Sequence, residues 1–193
     1  FEEAFLRLSP NNRMPVMLDH DGPDGAAISL FESGAILQYL GRKVGKFYGT
    51  NEREKSEIEQ WLMWQMGGLG PMAGQAHHFL KYAPSLEPPQ DLPYAKDRYR
   101  NEVTRLYTVL NRRLQDRDFV AGAYSIADMA IWPWASLWEG QQQDITAFPN
   151  MKTWLERVGS RPAVIAGRAV AEEKRSALQT DKKAQEILFR QRS

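Results

Sequence analysis

A glutamate and a serine at the predicted start of a helix are the first candidates for a binding site. Glu32, Ser33 and Gly34 follow an apolar run and precede a helical pattern. A helix N-terminus offers free N–H groups, so a serine hydroxyl beside them suits a carboxylate, and the adjacent glutamate could hold an ammonium group. These residue types predict a pocket for the amino-acid end of a small molecule. Considered alone, Ser33 is more commonly a plain helix cap.

A proline shortly before this point supplies the second candidate. Arg13 and Met14 precede Pro15, which opens a predicted strand. Only about 5–6% of X-Pro bonds are cis, so composition alone favours the trans isomer. A cis bond would turn the backbone N–H and C=O of Met14 outward, where they could pair with an extended peptide as one more strand. The two candidates together describe a site for a short peptide.

The elements that position these residues predict an α+β arrangement in residues 1–47. Residues 15–19 and 27–31 are short apolar runs on either side of the turn sequence at 21–25, which indicates a β-hairpin. From Ile36 onward the apolar residues repeat at helical spacing. The first unit is therefore strand, turn, strand and helix.

Residues 48–170 predict an all-helical unit. Asn51 can cap its first helix, and the proline-rich residues 84–93 indicate a loop before a second long helix. Ser125 and Asp128 have the spacing of a capping box ahead of an apolar run, so we assign both a structural role rather than a catalytic one.

The last part of the chain, residues 171–193, is a charged tail. It carries six basic and four acidic side chains. A terminus of mixed charge is typical of a solvated or frayed end.

Composition excludes several classes of protein. The 193 residues contain no cysteine, which excludes zinc ribbons, iron–sulfur sites and a cysteine nucleophile within them. A net charge of +1 argues against a nucleic-acid partner. No apolar run approaches the roughly 18 residues of a membrane span, so we expect a cytoplasmic protein with no membrane partner. No metal is expected either, because His77 and His78 are adjacent and point about 100° apart on a helix.

Several separated blocks, in order and with compatible spacing, closely resemble the cytosolic glutathione S-transferase family. Within that family the resemblance is to the bacterial Nu class of glutathione-dependent disulfide-bond oxidoreductases. It extends from Phe1 to about residue 170. The blocks are Asn11-Asn12-Arg13-Met14-Pro15, Asp19-His20, Phe31-Glu32-Ser33-Gly34-Ala35-Ile36-Leu37, Gln65-Met66-Gly67-Gly68-Leu69-Gly70-Pro71-Met72, Pro93-Tyr94-Ala95 with Arg98-Tyr99, and Tyr124-Ser125-Ile126-Ala127-Asp128.

The resemblance implies a fold and a binding site. Residues 1–47 would be the C-terminal half of a thioredoxin-like, glutathione-binding domain, followed by an all-α helical-bundle domain. Met14 would precede a cis proline, Pro15, and pair through its backbone with the cysteinyl part of glutathione. Glu32 and Ser33 would bind the γ-glutamyl end, which agrees with the argument from the helix terminus.

Two arginines are further glutathione-binding candidates. Arg98, in the predicted long helix, matches a family arginine that contacts glutathione, and Arg13 stands where the family carries Arg or Lys. The family's first strand and the residues that face the glutathione sulfur would precede Phe1. We therefore expect this chain to belong to a longer protein, with its catalytic residues upstream of Phe1.

The resemblance implies a homodimeric enzyme that uses glutathione, in its reduced and disulfide forms, as a bound co-substrate. The thiolate of bound glutathione would attack a small disulfide or, more weakly, an electrophile. Two alternatives stay open. One is a non-catalytic binding or regulatory module that kept the fold, and the other is a transferase that only conjugates glutathione.

Overall fold

The computed structural model describes residues 3–170, 172 and 181–189. It begins with a short helix, α1 (Glu3–Leu8), and then a hairpin of strands β1 (Val16–Asp19) and β2 (Ile28–Phe31). Helix α2 (Ser33–Val44) follows directly. The strand, turn, strand and helix of the sequence-based prediction are all present. The pattern did not indicate α1, because six residues are too few to show a helical period.

The hairpin brings the two predicted site segments together. Its strands are antiparallel and pair Val16 with Phe31 and Asp19 with Ile28. The residues just before β1 therefore lie beside the residues just after β2. The chain reverses through a short 3₁₀ turn at Pro23–Gly25, in which Asp24 and Gly25 both adopt positive φ, at 59° and 72°.

Asp19, at the end of β1, ties the hairpin to α2. Its Oδ2 accepts hydrogen bonds from the Tyr39 hydroxyl at 2.7 Å and from Lys43 Nζ at 2.6 Å. The hydrogen bond from Lys43, with that from Tyr39, lowers the pKa of Asp19 from its usual value near 3.8 to about 2. The folded protein therefore stabilises the ionised form of the Asp19 carboxyl group.

The Asp19 contacts predict a specific acid sensitivity. Because the folded pKa lies below the unfolded one, the stability from ionised Asp19 is present above about pH 4 and is lost as the pH falls toward 2. The difference in unfolding midpoint between the parent protein and Asp19→Asn should be largest above pH 4 and shrink below it. Thermal unfolding at several pH values measures this.

The matched control for that prediction is Asp21→Asn. The Asp21 carboxylate is 94% exposed and 3.6 Å from the same Lys43 ammonium group. Exposed pairs contribute little, so this change should leave the midpoint nearly unaltered at every pH. An Asp19→Asn variant with a pH-independent deficit would contradict the assignment.

The rest of the described chain is helical. Its helices are α3 (Glu52–Trp64), α4 (Gly70–His77), α5 (Pro93–Arg113), α6 (Ile126–Ala135), α7 (Pro149–Gly159), α8 (Pro162–Ala169) and α9 (Lys182–Phe189). Wider π-helical turns, at Gln65–Leu69 and His78–Tyr82, flank α4.

The glycine-rich segment after α3, residues 67–70, does not break the helical chain. A π-helical turn carries it without interruption into α4. Close packing accounts for Gly70 of this segment and for Gly74 of α4. A Cβ on Gly70 would lie 2.7 Å from Gln65 Nε2, and one on Gly74 would lie 3.2 Å from the ring of Trp134. Glycine therefore lets α6 approach this turn.

The core of the helical region forms where α4 and α7 each pack against both α5 and α6. Apolar residues recur at helical spacing along one face of α5, as the sequence pattern predicts, and that face is buried. Helix α3 joins α6 through a second apolar cluster. The buried core residues include Val103, Leu106, Tyr107 and Leu110 of α5, Ile131 and Trp132 of α6, and Met151, Trp154 and Val158 of α7.

Ser125 and Asp128 form a capping box at the start of α6. The Ser125 hydroxyl accepts from the Ala127 N–H at 3.3 Å, and Asp128 Oδ2 accepts from the Ser125 N–H at 3.0 Å. The other oxygen of Asp128 accepts from Val120 N–H at 3.0 Å and Trp154 Nε1 at 2.9 Å. Burial raises the pKa of Asp128, and these donors oppose that shift. The box thus connects three segments of the core.

Part of the charged tail is ordered against the helical region. The Phe189 ring of α9 lies 4.8 Å from that of His78 and 5.4 Å from that of Tyr82. Lys182 Nζ is 2.8 Å from Glu87 Oε2. Residues 181–189 therefore differ from the frayed end that the charges predict, because Phe189 provides an apolar anchor. Residues 171, 173–180 and 190–193 of that prediction lie outside the described residues.

Among the residues described, no helix combines the length and the apolar character needed to cross a bilayer.

Candidate functional site

Four of the five predicted binding residues line one small cavity. The cavity has a volume of about 110 Å³ and lies where the segment before β1 meets the junction of β2 and α2. A buried water occupies about 30 Å³, so this space suits an amino-acid-sized group rather than a whole tripeptide. The lining residues are Ser9, Asn11, Arg13, Met14, Pro15, Phe31, Glu32 and Ser33.

The junction of β2 and α2 presents an open helix terminus to this cavity. Glu32 is the residue before the helix and has φ 68° and ψ 115°, an unusual conformation for a side chain other than glycine. Its side chain makes no capping hydrogen bond to α2. The first N–H groups of a helix have no partner inside the helix, so they can receive an anion.

Ser33 is not the cap that its sequence position suggests. It is the first residue of α2, and its hydroxyl donates to Met66 Sδ at 3.7 Å instead of accepting from the helix. Gly34 packs against the same side chain, since a Cβ there would lie 3.2–3.4 Å from Met66 atoms. The start of α2 thus rests on the π-helical turn after α3. A plain capping role for Ser33 is wrong.

The segment before β1 is held by local hydrogen bonds. Ser9 is fully buried, and its hydroxyl donates to the Arg13 carbonyl at 2.8 Å and accepts from the Arg13 N–H at 3.3 Å. Asn11 Nδ2 lies 3.4 Å from Glu32 Oε1 and donates to it. Sequence reasoning missed Ser9 and Asn11 as cavity residues. Asn11 belongs to one of the sequence blocks that resemble the family, and that block was the signal that could have identified it as a cavity residue.

The Met14-Pro15 peptide bond is cis, as the resemblance implies and against the base rate for prolines. Met14 precedes the paired residues of β1, and its side chain is 86% exposed. Its backbone is therefore at the rim of the cavity, beside Glu32 and Ser33.

The charges around the cavity suit a zwitterion. Glu32 offers a carboxylate for an ammonium group, while the N-terminus of α2 and the Ser33 hydroxyl offer donors for a carboxylate. Arg13 adds a guanidinium group to the lining. This arrangement can bind the amino-acid end of a ligand in one orientation.

Arg98, the fifth predicted residue, lies elsewhere. It is exposed on α5 and is not among the residues that line the cavity. The hydrogen bonds from Arg105 are the main reason that the pKa of Glu102, one helical turn along the chain, is lowered, and the positive charge of Arg98 adds to that effect. A contact between Arg98 and glutathione stays a prediction.

The two histidines do not form a metal site. His77 is buried beside Gly140, its Nδ1 has no hydrogen-bond partner, and burial lowers the pKa of both His77 and His78. Within the residues described, no group of three or more acidic or histidine side chains has a metal-binding arrangement.

Comparison with known families matches both parts of this architecture. Residues 1–42 match the description "Glutathione S-transferase, N-terminal domain", and residues 71–162 match "Glutathione S-transferase, C-terminal domain". The predicted fold class is confirmed: a thioredoxin-like part with a hairpin and a helix, followed by an all-helical part.

The chain belongs to the glutathione S-transferase family. It is 51% identical to the disulfide-bond oxidoreductase YfcG of Escherichia coli K12, over 84% of this chain and 74% of that protein. It is 36% identical to the disulfide-bond oxidoreductase YghU of the same strain, over 88% of this chain and 59% of that protein.

Solved structures of the family show the same fold. A glutathione transferase from Burkholderia graminis, with two glutathione molecules bound per subunit, matches with a TM-score of 0.81 and 39% identity, over 89% of this chain and 73% of that one. A glutathione transferase from Pseudomonas putida, with one glutathione disulfide bound per subunit, matches with a TM-score of 0.81 and 39% identity, over 88% and 75%.

Proposed function

We propose that this protein binds glutathione and uses its thiolate to reduce disulfide bonds. The observation that carries the proposal is the single cavity that joins the open start of α2 to the cis Met14-Pro15 segment. The similarity to two disulfide-bond oxidoreductases supports the reaction class. Glutathione would also be conjugated weakly to electrophiles.

The cavity residues suggest how glutathione would lie. Its γ-glutamyl carboxylate would accept from Ser33 and the free N–H groups of α2, and its ammonium group would pair with Glu32. The cysteinyl backbone would pair with the main chain of Met14, as an extended peptide pairs with a strand. Arg13 and Arg98 are proposed as further contacts with the peptide.

Thiol–disulfide exchange would then proceed through the thiols of glutathione. The thiolate of bound glutathione attacks one sulfur of a disulfide, which forms a mixed disulfide and releases one thiolate. A second glutathione thiolate attacks the glutathione sulfur of that mixed disulfide, which yields glutathione disulfide and the second free thiol. The 193 residues contain no cysteine, so none of their side chains can supply either nucleophile, and both are proposed to come from glutathione. The groups that face the reacting sulfur are proposed to lie upstream of Phe1.

The full-length protein should catalyse glutathione-dependent reduction of a small model disulfide. The expected rate of glutathione disulfide formation exceeds the uncatalysed rate, because a bound thiol held at a lowered pKa is present as thiolate. Oxidation of NADPH in a coupled glutathione reductase assay measures it. Isothermal calorimetry with reduced glutathione provides an independent measure of binding.

These measurements, together with an assay of glutathione conjugation to an aromatic halide, separate the alternatives. Glutathione binding without turnover would indicate a binding or regulatory module. Activity toward an aromatic halide far above disulfide reduction would indicate a conjugating transferase. Absence of both binding and catalysis would refute the proposal.

A homodimer and a cytoplasmic location are also part of the proposal. Exposed apolar side chains on α2 and α3 support an interface between copies, since Leu40 is 37%, Val44 55% and Met63 50% exposed. The division into units at 1–47, 48–170 and 171–193 is likewise proposed.

A further inference from the structure

Met66 is the recorded hydrogen-bond partner of the Ser33 hydroxyl, although the two residues belong to different parts of the fold. Ser33 begins α2, whereas Met66 lies in the π-helical turn between α3 and α4. The hydroxyl donates to the thioether sulfur at 3.7 Å. A thioether is a weak acceptor, so this bond restrains the hydroxyl without binding it strongly.

We propose that Met66 is a positioning residue for the proposed glutathione site, an inference that rests on the proposed function. Its thioether holds the Ser33 hydroxyl at the N-terminus of α2 through a weak bond that a ligand carboxylate replaces. An ionised carboxylate is a much stronger acceptor than a thioether. Replacement of the thioether by the carboxylate as acceptor therefore favours ligand binding. Without a ligand, the thioether keeps the Ser33 hydroxyl in place.

The local packing is built for this contact. Gly34 has no Cβ, and one placed there would lie 3.2 Å from Met66 Cγ and 3.4 Å from Met66 Sδ. The glycine lets the thioether reach the start of α2. The π-helical turn, a feature that often marks functional sites, carries Met66 between the buried Gln65 and the exposed Gly67.

A strong hydrogen-bond acceptor at position 66 would weaken glutathione binding. A glutamine side chain is similar in length to methionine and carries an amide oxygen, which would hold the Ser33 hydroxyl in a full-strength bond. Glutathione binding would then have to break that bond. A typical net hydrogen bond corresponds to roughly a 3- to 10-fold change in an equilibrium constant.

Met66 also packs against the apolar cluster that joins α3 to α6, so a purely structural role must be separated from positioning. The separation comes from the coupling between Met66 and Ser33. A packing defect would act whether or not the Ser33 hydroxyl is present, whereas positioning acts only through it.

The test is calorimetric titration of the full-length protein with reduced glutathione. Met66→Gln should weaken binding roughly 3- to 10-fold, whereas Met66→Leu, which keeps the packing and loses only the weak thioether bond, should weaken it by no more than about twofold. In a Ser33→Ala background, adding Met66→Gln should change the dissociation constant by less than about twofold. Thermal unfolding midpoints check that each variant is folded. Met66→Asn, with a shorter amide, repeats the test if Met66→Gln does not fold.

Several results would overturn the inference. They are an unchanged affinity in Met66→Gln, an equal loss with and without the Ser33 hydroxyl, and an equal loss in Met66→Leu and Met66→Gln. Tighter binding by Met66→Gln would also overturn it, because the amide would then donate to the ligand directly. If the parent protein binds no glutathione, the proposed function fails. If the parent binds and Ser33→Ala weakens binding, while Met66→Gln does not, only this inference fails.

Discussion

Replacement of Ser33 by alanine is expected to weaken glutathione binding by about 1–3 kcal/mol, which is roughly 5- to 150-fold in the dissociation constant. The Ser33 hydroxyl lines the cavity, and within the described part of the chain its hydrogen-bond partner is a thioether, so it is available to a ligand carboxylate. A hydrogen bond to an ionised group is stronger than one between neutral groups. Calorimetric titration with reduced glutathione measures the change.

The position of Ser33 makes this prediction selective for binding. Since its hydroxyl does not cap α2, its removal should leave the unfolding midpoint close to that of the parent. Ser29→Ala is the matched control, because Ser29 is a neighbouring serine of β2 whose hydroxyl donates to the Leu8 carbonyl at 3.4 Å, outside the cavity lining. Equal affinities for the parent, Ser29→Ala and Ser33→Ala would show that the hydroxyl contributes nothing to the site.

Local sequence signals predict the parts of the site that neighbours along the chain determine. The hairpin is indicated by two apolar runs and a turn, and its register places Met14 and Pro15 beside Glu32 and Ser33. The capping box follows from the spacing of two polar residues ahead of an apolar run. Each of these depends on a few adjacent residues, which is why composition and pattern suffice.

Contacts between distant segments are the parts that the sequence does not predict. Met66 meets Ser33 across 33 positions, and its approach depends on a π-helical turn that no apolar period indicates. Phe189 anchors α9 on His78 within a tail whose charge pattern indicates a solvated end. The role of Arg98 rests on a motif match alone and stays a prediction, because such a match gives no information on which way a helical side chain faces.

The capping box at α6 carries the second large expected effect. Asp128→Asn should lower the free energy of unfolding by about 2–4 kcal/mol. The Asp128 carboxylate is fully buried, and both of its oxygens accept hydrogen bonds. An asparagine of the same shape would turn an NH₂ group toward donors on one side, whichever way it is oriented. Urea unfolding measures the change.

The loss of unfolding free energy is large because the Asp128 carboxylate connects three segments of the core through buried hydrogen bonds. Oδ1 accepts from the Val120 N–H and from the Trp154 indole, and Oδ2 accepts from the Ser125 N–H. Losing half of these acceptors leaves buried donors unpaired, at about 1–3 kcal/mol each. Since a domain is stable by only about 5–15 kcal/mol, such a loss would be a large part of the total.

Asp144→Asn separates this effect from the ordinary loss of a helix cap. Asp144 caps a short 3₁₀ turn, but it is exposed and its Oδ1 accepts only from the Thr146 N–H at 2.9 Å and the Thr146 hydroxyl at 2.7 Å. Asparagine is as good a cap as aspartate, and water can reach both donors, so this change should cost no more than about 0.5 kcal/mol. Similar losses for Asp128→Asn and Asp144→Asn would mean that the buried hydrogen bonds of Asp128 do not stabilise the core beyond simple capping. The larger loss of unfolding free energy expected for Asp128→Asn instead assigns a structural role in the helical region to the start of α6. That role is separate from the binding role proposed for the cavity at the start of α2.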